Sequence, residues 1–193
     1  MQRRRLLQML GGGAIAAWFP LRADADVLDH GHFVSLRCLS RERGQARFLD
    51  GRTGDGSVGL APHTNHPFTG TKWKVRRVRD GVIALECQGT IPGSNRWLDG
   101  RIADGSVALA PTVQNPFTGT RWEVAPIEGG GGSIVALRCT AAGSDAGWLE
   151  GRIGAGAVRL AATATQPFDT ISWEVRLFPV TIDPGTNLNP VDE

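Results

Sequence analysis

Two acidic residues, each followed two positions later by an arginine, are the polar groups of this chain best placed to do chemistry: Asp50 with Arg52, and Asp99 with Arg101. A further aspartate follows each pair in a Gly-rich stretch, Asp55 and Asp104, and a third version of the pattern reads Glu150-Gly151-Arg152. Residues two apart on a strand share a face, so each acid and its arginine are expected side by side, pointing outward and away from the neighbouring leucine. Two readings of the set stay open. In one, each pair is a surface ion pair bracing a hairpin and contributing under about 1 kcal/mol. In the other, Asp50, Arg52, Asp55, Asp99, Arg101 and Asp104 are polar contacts for a ligand at two of three equivalent pockets. The third pocket is then the weakest, because Ala155 replaces the turn aspartate and Asp169-Thr170-Ile171 replaces Thr-Gly-Thr.

Catalysis demands more than these pairs offer. Hydrolysis by a nucleophile needs a serine or cysteine with a base and a group that orients the base. All four histidines lie in or before the first copy of the pattern, and the chain has no tyrosine. Glycoside cleavage needs two carboxylates flanking the scissile bond. Asp50 and Asp55 have that content, but the same pair recurs as Asp99 and Asp104, as a feature of the hairpin. No catalytic residue is therefore assigned. His30-Gly31-His32 would point two rings one way on a strand, yet no motif places a carboxylate beside them. With His63 and His66 they are expected in exposed loops, with no metal site and no cofactor.

What positions the acids is a threefold internal repeat. Residues Phe48 to Val75, Trp97 to Val124 and Trp148 to Val175 align without a gap, and 18 of 28 positions are identical between the first two. A period of about 50 residues marks a supersecondary unit that cannot bury its own apolar face, so three copies must share one core. The pattern in copy one places strands at Phe33 to Leu39, Arg47 to Arg52, Ser57 to Ala61 and Lys72 to Arg77. The second and third are joined by Thr53-Gly54-Asp55-Gly56, a hairpin signal because glycine accepts the positive φ such turns require. Val34, Leu36 and Cys38 alternate with polar or small residues, as do Ile83, Leu85 and Cys87, and Val135, Leu137 and Cys139. That alternation points all three thiols inward, where they act as inert small hydrophobes. Trp73, Trp122 and Trp173, each with a valine two residues on, make a second inward face. A Pro-Phe pair precedes each tryptophan (Pro67-Phe68, Pro116-Phe117, Pro167-Phe168).

The expected fold is all-β, of three four-stranded repeats with pseudo-threefold symmetry at about residues 32–79, 80–128 and 133–178, and with no helix in the mature domain. Three four-stranded copies on the spacing V-x-L-R, FLDGR, GSV-x-L and W-x-V, with substitutions in copies two and three, resemble the β-trefoil superfamily, most of all fascin-type repeats and more distantly ricin-type lectins, over about His32 to Phe178. The resemblance implies a trefoil barrel with a hairpin cap, a fold that hosts lectins, actin crosslinkers, growth factors and protease inhibitors. Ricin-type repeats place a sugar-binding Asp on the second strand, which Asp50 and Asp99 match and Glu150 substitutes. The position of the stacking aromatic holds Ala61, Ala110 and Ala161, and that of the glutamine holds Thr71, Thr120 and Ile171. Gly70 and Gly119 sit near the asparagine position. A ricin-type pocket here lacks its aromatic platform.

Residues 1–25 are expected to be an export signal. Arg3, Arg4 and Arg5 precede an apolar Gly/Ala-rich run from Leu6 to Leu21, and Ala23-Asp24-Ala25 offers small residues for cleavage. Gln2 to Gln8 resembles a twin-arginine signal, with a basic general-secretory signal as the other reading. The domain then occupies 26–178, with a polar tail at 179–193, and its location is periplasmic or extracellular. Four arginines and one acid fall in the leader, leaving 17 basic and 18 acidic residues. A nearly neutral domain has no concentrated positive field for nucleic acid, and no stretch reaches the roughly 18 apolar residues of a membrane span. A monomer is expected. Variation between copies concentrates in the loops Ser40 to Ala46, Gln88 to Asn95 and Thr140 to Ala146 and in the tip His63 to His66 against Thr112 to Asn115, places where binding specificity commonly resides. The function read from the sequence is a secreted, non-catalytic binding module for extracellular carbohydrate or other cell-surface material. The alternative is a protein-interaction module of inhibitor or crosslinker type, using an exposed loop such as Arg41-Glu42-Arg43.

Overall fold

A computed structural model of the chain describes residues 28–143, 146–164 and 168–178. The expected leader, the polar tail, Ser144-Asp145 and Pro167 lie outside the described residues. Copy one forms β1 (Phe33–Cys38), β2 (Phe48–Arg52), β3 (Ser57–Ala61) and β4 (Trp73–Arg79). Copy two forms β5 (Val82–Cys87), β6 (Trp97–Arg101), β7 (Ser106–Ala110) and β8 (Trp122–Pro126). Copy three forms β9 (Ile134–Cys139), β10 (Trp148–Arg152), β11 (Ala157–Ala161) and β12 (Trp173–Leu177). Short 3₁₀ turns lie between strands at Thr69–Thr71, Thr118–Thr120, Ile153–Ala155 and Phe168–Thr170. Among the described residues no helix is long and apolar enough to cross a membrane.

All strand pairs are antiparallel. Hydrogen bonding runs along β11–β3–β2–β1–β12–β9–β8–β5–β6–β7, and β7 pairs β11 again, so ten strands close a barrel. The extra strands join it at its sides: β4 bonds β1 and β5, and β10 bonds β9 and β11. This closed barrel corrects the sequence-based expectation of a β-trefoil with fascin-type or ricin-type kinship, and leaves the coarser all-β assignment standing. The physical reason is that alternation within a copy specifies each strand and the face it buries, but not which edges meet. Edges are joined by pairs between copies, such as Ser57 with Ala108, Arg159 with Ser106 and Ala157 with Gly59.

The core is built of the same three residues from each copy. Leu36, Leu85 and Leu137 of the first strands, Leu49, Leu98 and Leu149 of the second, and Trp73, Trp122 and Trp173 of the last are all fully buried. Each indole N–H donates to the carbonyl of the second-strand leucine in its own copy, Leu49 and Leu98 at 3.0 Å and Leu149 at 2.9 Å. Each tryptophan thereby fills the core and holds the strand segment that carries the acid one residue further on. The three cysteines are free and buried as expected, and burial pushes the Cys38 and Cys87 thiols up to about 11.

Candidate functional site

The acid of each copy does not point into solvent. Asp50, Asp99 and Glu150 are only 6%, 7% and 8% exposed, which corrects the expectation of outward charge pairs. Alternation alone placed them opposite the leucine, but the 3₁₀ turn preceding the tryptophan folds back over that face. Gly70 in copy one and Gly119 in copy two lie so close to the second strand that a Cβ would meet Gly51 O at 2.0 Å or Gly100 O at 2.1 Å. The same Cβ would stand 2.7 Å from Asp50 Oδ1 or 2.6 Å from Asp99 Oδ1. Only glycine permits that approach, and it covers the carboxylate.

The next copy supplies the backing. Cys87 Sγ donates to Gly51 O at 3.2 Å and Gly70 O at 3.5 Å, and Cys139 Sγ donates to Gly100 O and Gly119 O at 3.7 and 3.5 Å. Each thiol thus ties the acid-bearing strand to the covering turn, a role beyond the filler expected from the sequence. The hydroxyls of Thr71 and Thr120 close the same turns on Phe68 O and Phe117 O, both at 2.8 Å.

In copy two these parts form an open depression lined by Asp99, Arg101, Ile102, Pro116, Phe117 and Thr118, with Ala141 of copy three on its rim. Asp99 has no hydrogen bond and no ion pair within 4 Å among the described residues. Loss of water around it raises its pKa above the usual carboxylate value, against the opposing pull of Arg101. Asp50 is raised for the same first reason, and Arg52 approaches it only to 4.0 Å. Both acids lie opposite a side chain too small to reach them: Asp50 pairs across the hairpin with Gly59, and Asp99 with Ala108.

Copy three differs at that partner. Glu150 lies opposite Arg159, whose Nε donates to Glu150 Oε2 at 2.5 Å, and Arg152 stands 3.9 Å from the same oxygen. Glu42 from copy one closes the network, accepting the Gly154 N–H at 3.0 Å and pairing with Arg152 at 3.5 Å. Ile171 replaces the turn threonine, and the 3₁₀ turn begins one alignment position earlier, at Phe168–Thr170. The third acid is consumed internally.

The turn aspartates are elsewhere. Asp55 accepts the Ser57 N–H at 2.9 Å and its hydroxyl at 2.7 Å, bonds that hold its pKa below the usual value. Asp104 accepts the Ser106 N–H at 2.9 Å. Both are exposed at hairpin tips, and Asp104 is not among the residues lining the Asp99 depression. Sequence reasoning missed Phe117, Thr118 and Gly119 as lining residues, although the recurrence of Pro-Phe-Thr-Gly-Thr in copies one and two, and its loss in copy three, carried the signal. Among the histidines, His30 Nδ1 accepts the Arg77 N–H at 3.2 Å, and His63 packs edge-on against Phe68.

No family model matches the chain, and no curated protein matches it. A solved structure, the GlcNAcα1-4Gal releasing endo-β-galactosidase from Clostridium perfringens, is similar over 77% of this chain and 33% of its own, with a TM-score of 0.59 and 14% identity. The chain spans about a third of the length of that enzyme, and at this identity the likeness concerns the fold alone.

Proposed function

We propose that this chain is an exported, non-catalytic binding module for extracellular carbohydrate, and that copies one and two hold its binding pockets. The observation that carries the reading is Asp99, a carboxylate 7% exposed and without an internal partner at the floor of an open depression. The Asp99 oxygens face the depression with little water around them and no donor from the chain, and a ligand that brings hydroxyl donors to them recovers part of that lost solvation. Sugars supply paired hydroxyls, while Phe117, Ile102 and Pro116 offer apolar surface for ring C–H groups. Each pocket presents one carboxylate, since Asp55 and Asp104 are spent on their own turns, and two are needed for glycoside cleavage. Export rests on Arg3 to Arg5 and the apolar run after them. The name of the structural neighbour, a protein that releases GlcNAcα1-4Gal, makes that disaccharide the first probe.

Screening the domain on a glycan array, followed by calorimetric titration of the best ligand, tests this. Asp99→Ala should weaken binding by tenfold or more, about 1.4 kcal/mol, Asp50→Ala should weaken it as well, and Glu150→Ala should change it little. Silence of both aspartates, with binding abolished by charge reversal of Arg41 and Arg43, would replace this reading by the protein-contact one. The Arg41 side chain is 84% exposed.

A further inference from the structure

A second cleft lies away from the acids, where copy one meets copy three. Its walls are Phe48 at the start of β2 and Leu177 and Phe178 at the end of β12, its rim is Thr64 and Asn65 of the loop before β4, and Ser35 and Arg176 complete the lining. Ser35 is 4% exposed; its hydroxyl makes no side-chain hydrogen bond among the described residues, but unlike Ser106 Oγ, the enclosed hydroxyl without a partner, it keeps an accessible edge. The position is specific to copy one: the corresponding residues are Ala84 and Ala136, both buried. In copy three the space is filled, because Trp148 stands where Phe48 does and packs on Ala136 with Ile171, Ala125, Ile127 and Ala164. In copy one Phe48 is half-buried, Arg176 stacks over its ring at 6.0 Å, and Leu177 remains 55% exposed.

We propose that this cleft is a second ligand subsite that takes a neutral pyranose ring. The phenyl rings of Phe48 and Phe178 suit the C–H face of a hexose, and the hydroxyls of Ser35 and Thr64 with the Asn65 amide suit its equatorial hydroxyls. No carboxylate lines the cleft, and its lining cation, Arg176, is already paired with Glu174 at 2.9 Å, while Lys72 Nζ stands 5.7 Å from the Phe178 ring, so no lining residue offers an unpaired charge. The Ser35 hydroxyl stands where the other copies carry buried alanine, and its accessible edge in the cleft is open to a ligand. The sugar class rests on the proposed function; the location does not.

The test is a ¹H–¹⁵N NMR titration of the domain with methyl β-D-galactopyranoside and with N-acetylglucosamine, each at millimolar concentration. Saturable shifts are expected at the amides of Ser35, Phe48, Asn65 and Leu177. Ser35→Ala copies the residue the other copies already carry and so keeps the fold; it should weaken that binding about three- to tenfold. Phe48→Ala should abolish it, and should Phe48→Ala fail to fold, Asn65→Ala at the exposed rim takes its place. Shifts confined to Gly100, Thr118 and Gly119 overturn the second subsite and leave the proposed function in place. Cleft shifts alone, lost in Ser35→Ala, support the subsite and remove the Asp99 pocket. Unchanged affinity in folded Ser35→Ala and Phe48→Ala overturns it, and no shift at either place overturns both.

Discussion

Copies two and three carry the same hairpin, the same buried tryptophan and an acid at the same position, yet one acid is left open and the other is locked. The difference traces to the residue directly across the hairpin. Ala108 cannot reach Asp99, whereas Arg159 delivers a guanidinium to Glu150, and Glu42 and Arg152 extend that pair into a network between copies. A single cross-strand partner therefore decides whether a buried carboxylate stabilises the barrel or waits for something outside it. Burial alone does not mark a site; in Asp99 it is the lack of an internal partner at the edge of an open depression that does.

The scaffold shared by both copies should respond most strongly and equally. Trp122→Ala and Trp173→Ala should each cost about 3 to 5 kcal/mol, measured by urea unfolding, because each indole fills the core and holds a leucine carbonyl. A large difference between the two would show that the copies are not mechanically equivalent.

The acids should then respond with opposite signs. Glu150→Gln removes the partner of Arg159 and should destabilise the fold by about 1 to 2 kcal/mol, less than a fully buried pair because Arg159 is half exposed. Asp99→Asn removes a desolvated charge and should stabilise it by about 0.5 to 1 kcal/mol while weakening the ligand. Equal signs would mean that the two acids sit in like surroundings. Arg159→Ala, which leaves Glu150 only its 3.9 Å contact with Arg152, should add a weak third site to the binding stoichiometry.

A smaller effect concerns pH. The Asp99 pKa is raised in the folded state above its ordinary value of 3.8, so the native state binds the proton more tightly than the unfolded chain. Stability should therefore increase as pH falls through the window just above 3.8, and be lost as pH rises through it. Thermal melts from pH 6 to 4 check this, and Asp99→Asn should flatten its share of the slope. The least change of all is expected in native alkylation at neutral pH, followed by mass spectrometry. Cys38, Cys87 and Cys139 should stay unlabelled, being buried with raised pKa values; rapid labelling would mean that the strap between strand and turn opens.

Strands, hairpins and the inward face of Leu36, Cys38 and Trp73 were legible in the sequence, because period-two alternation and Gly-rich turns are local signals that each copy repeats. The erosion of copy three was legible too, in Ala155 and Asp169-Thr170-Ile171. The direction of Asp50 and Asp99 was not, since alternation has no knowledge of a turn that returns over the outer face through Gly70 and Gly119. Nor were Phe117 and Thr118 visible as lining, or Ser35 as a hydroxyl set among aromatic rings from both ends of the chain.

An all-β chain of three like copies, its core residues and the recurring acids follow from local pattern. Closure of the barrel, the arginine that reaches Glu150 but not Asp99, and the cleft between Ser35 and Arg176 follow from how whole strands pack. Those outcomes depend on contacts between residues up to about 140 positions apart, such as Ser35 with Arg176, and contact at that separation is set by the packing of whole strands.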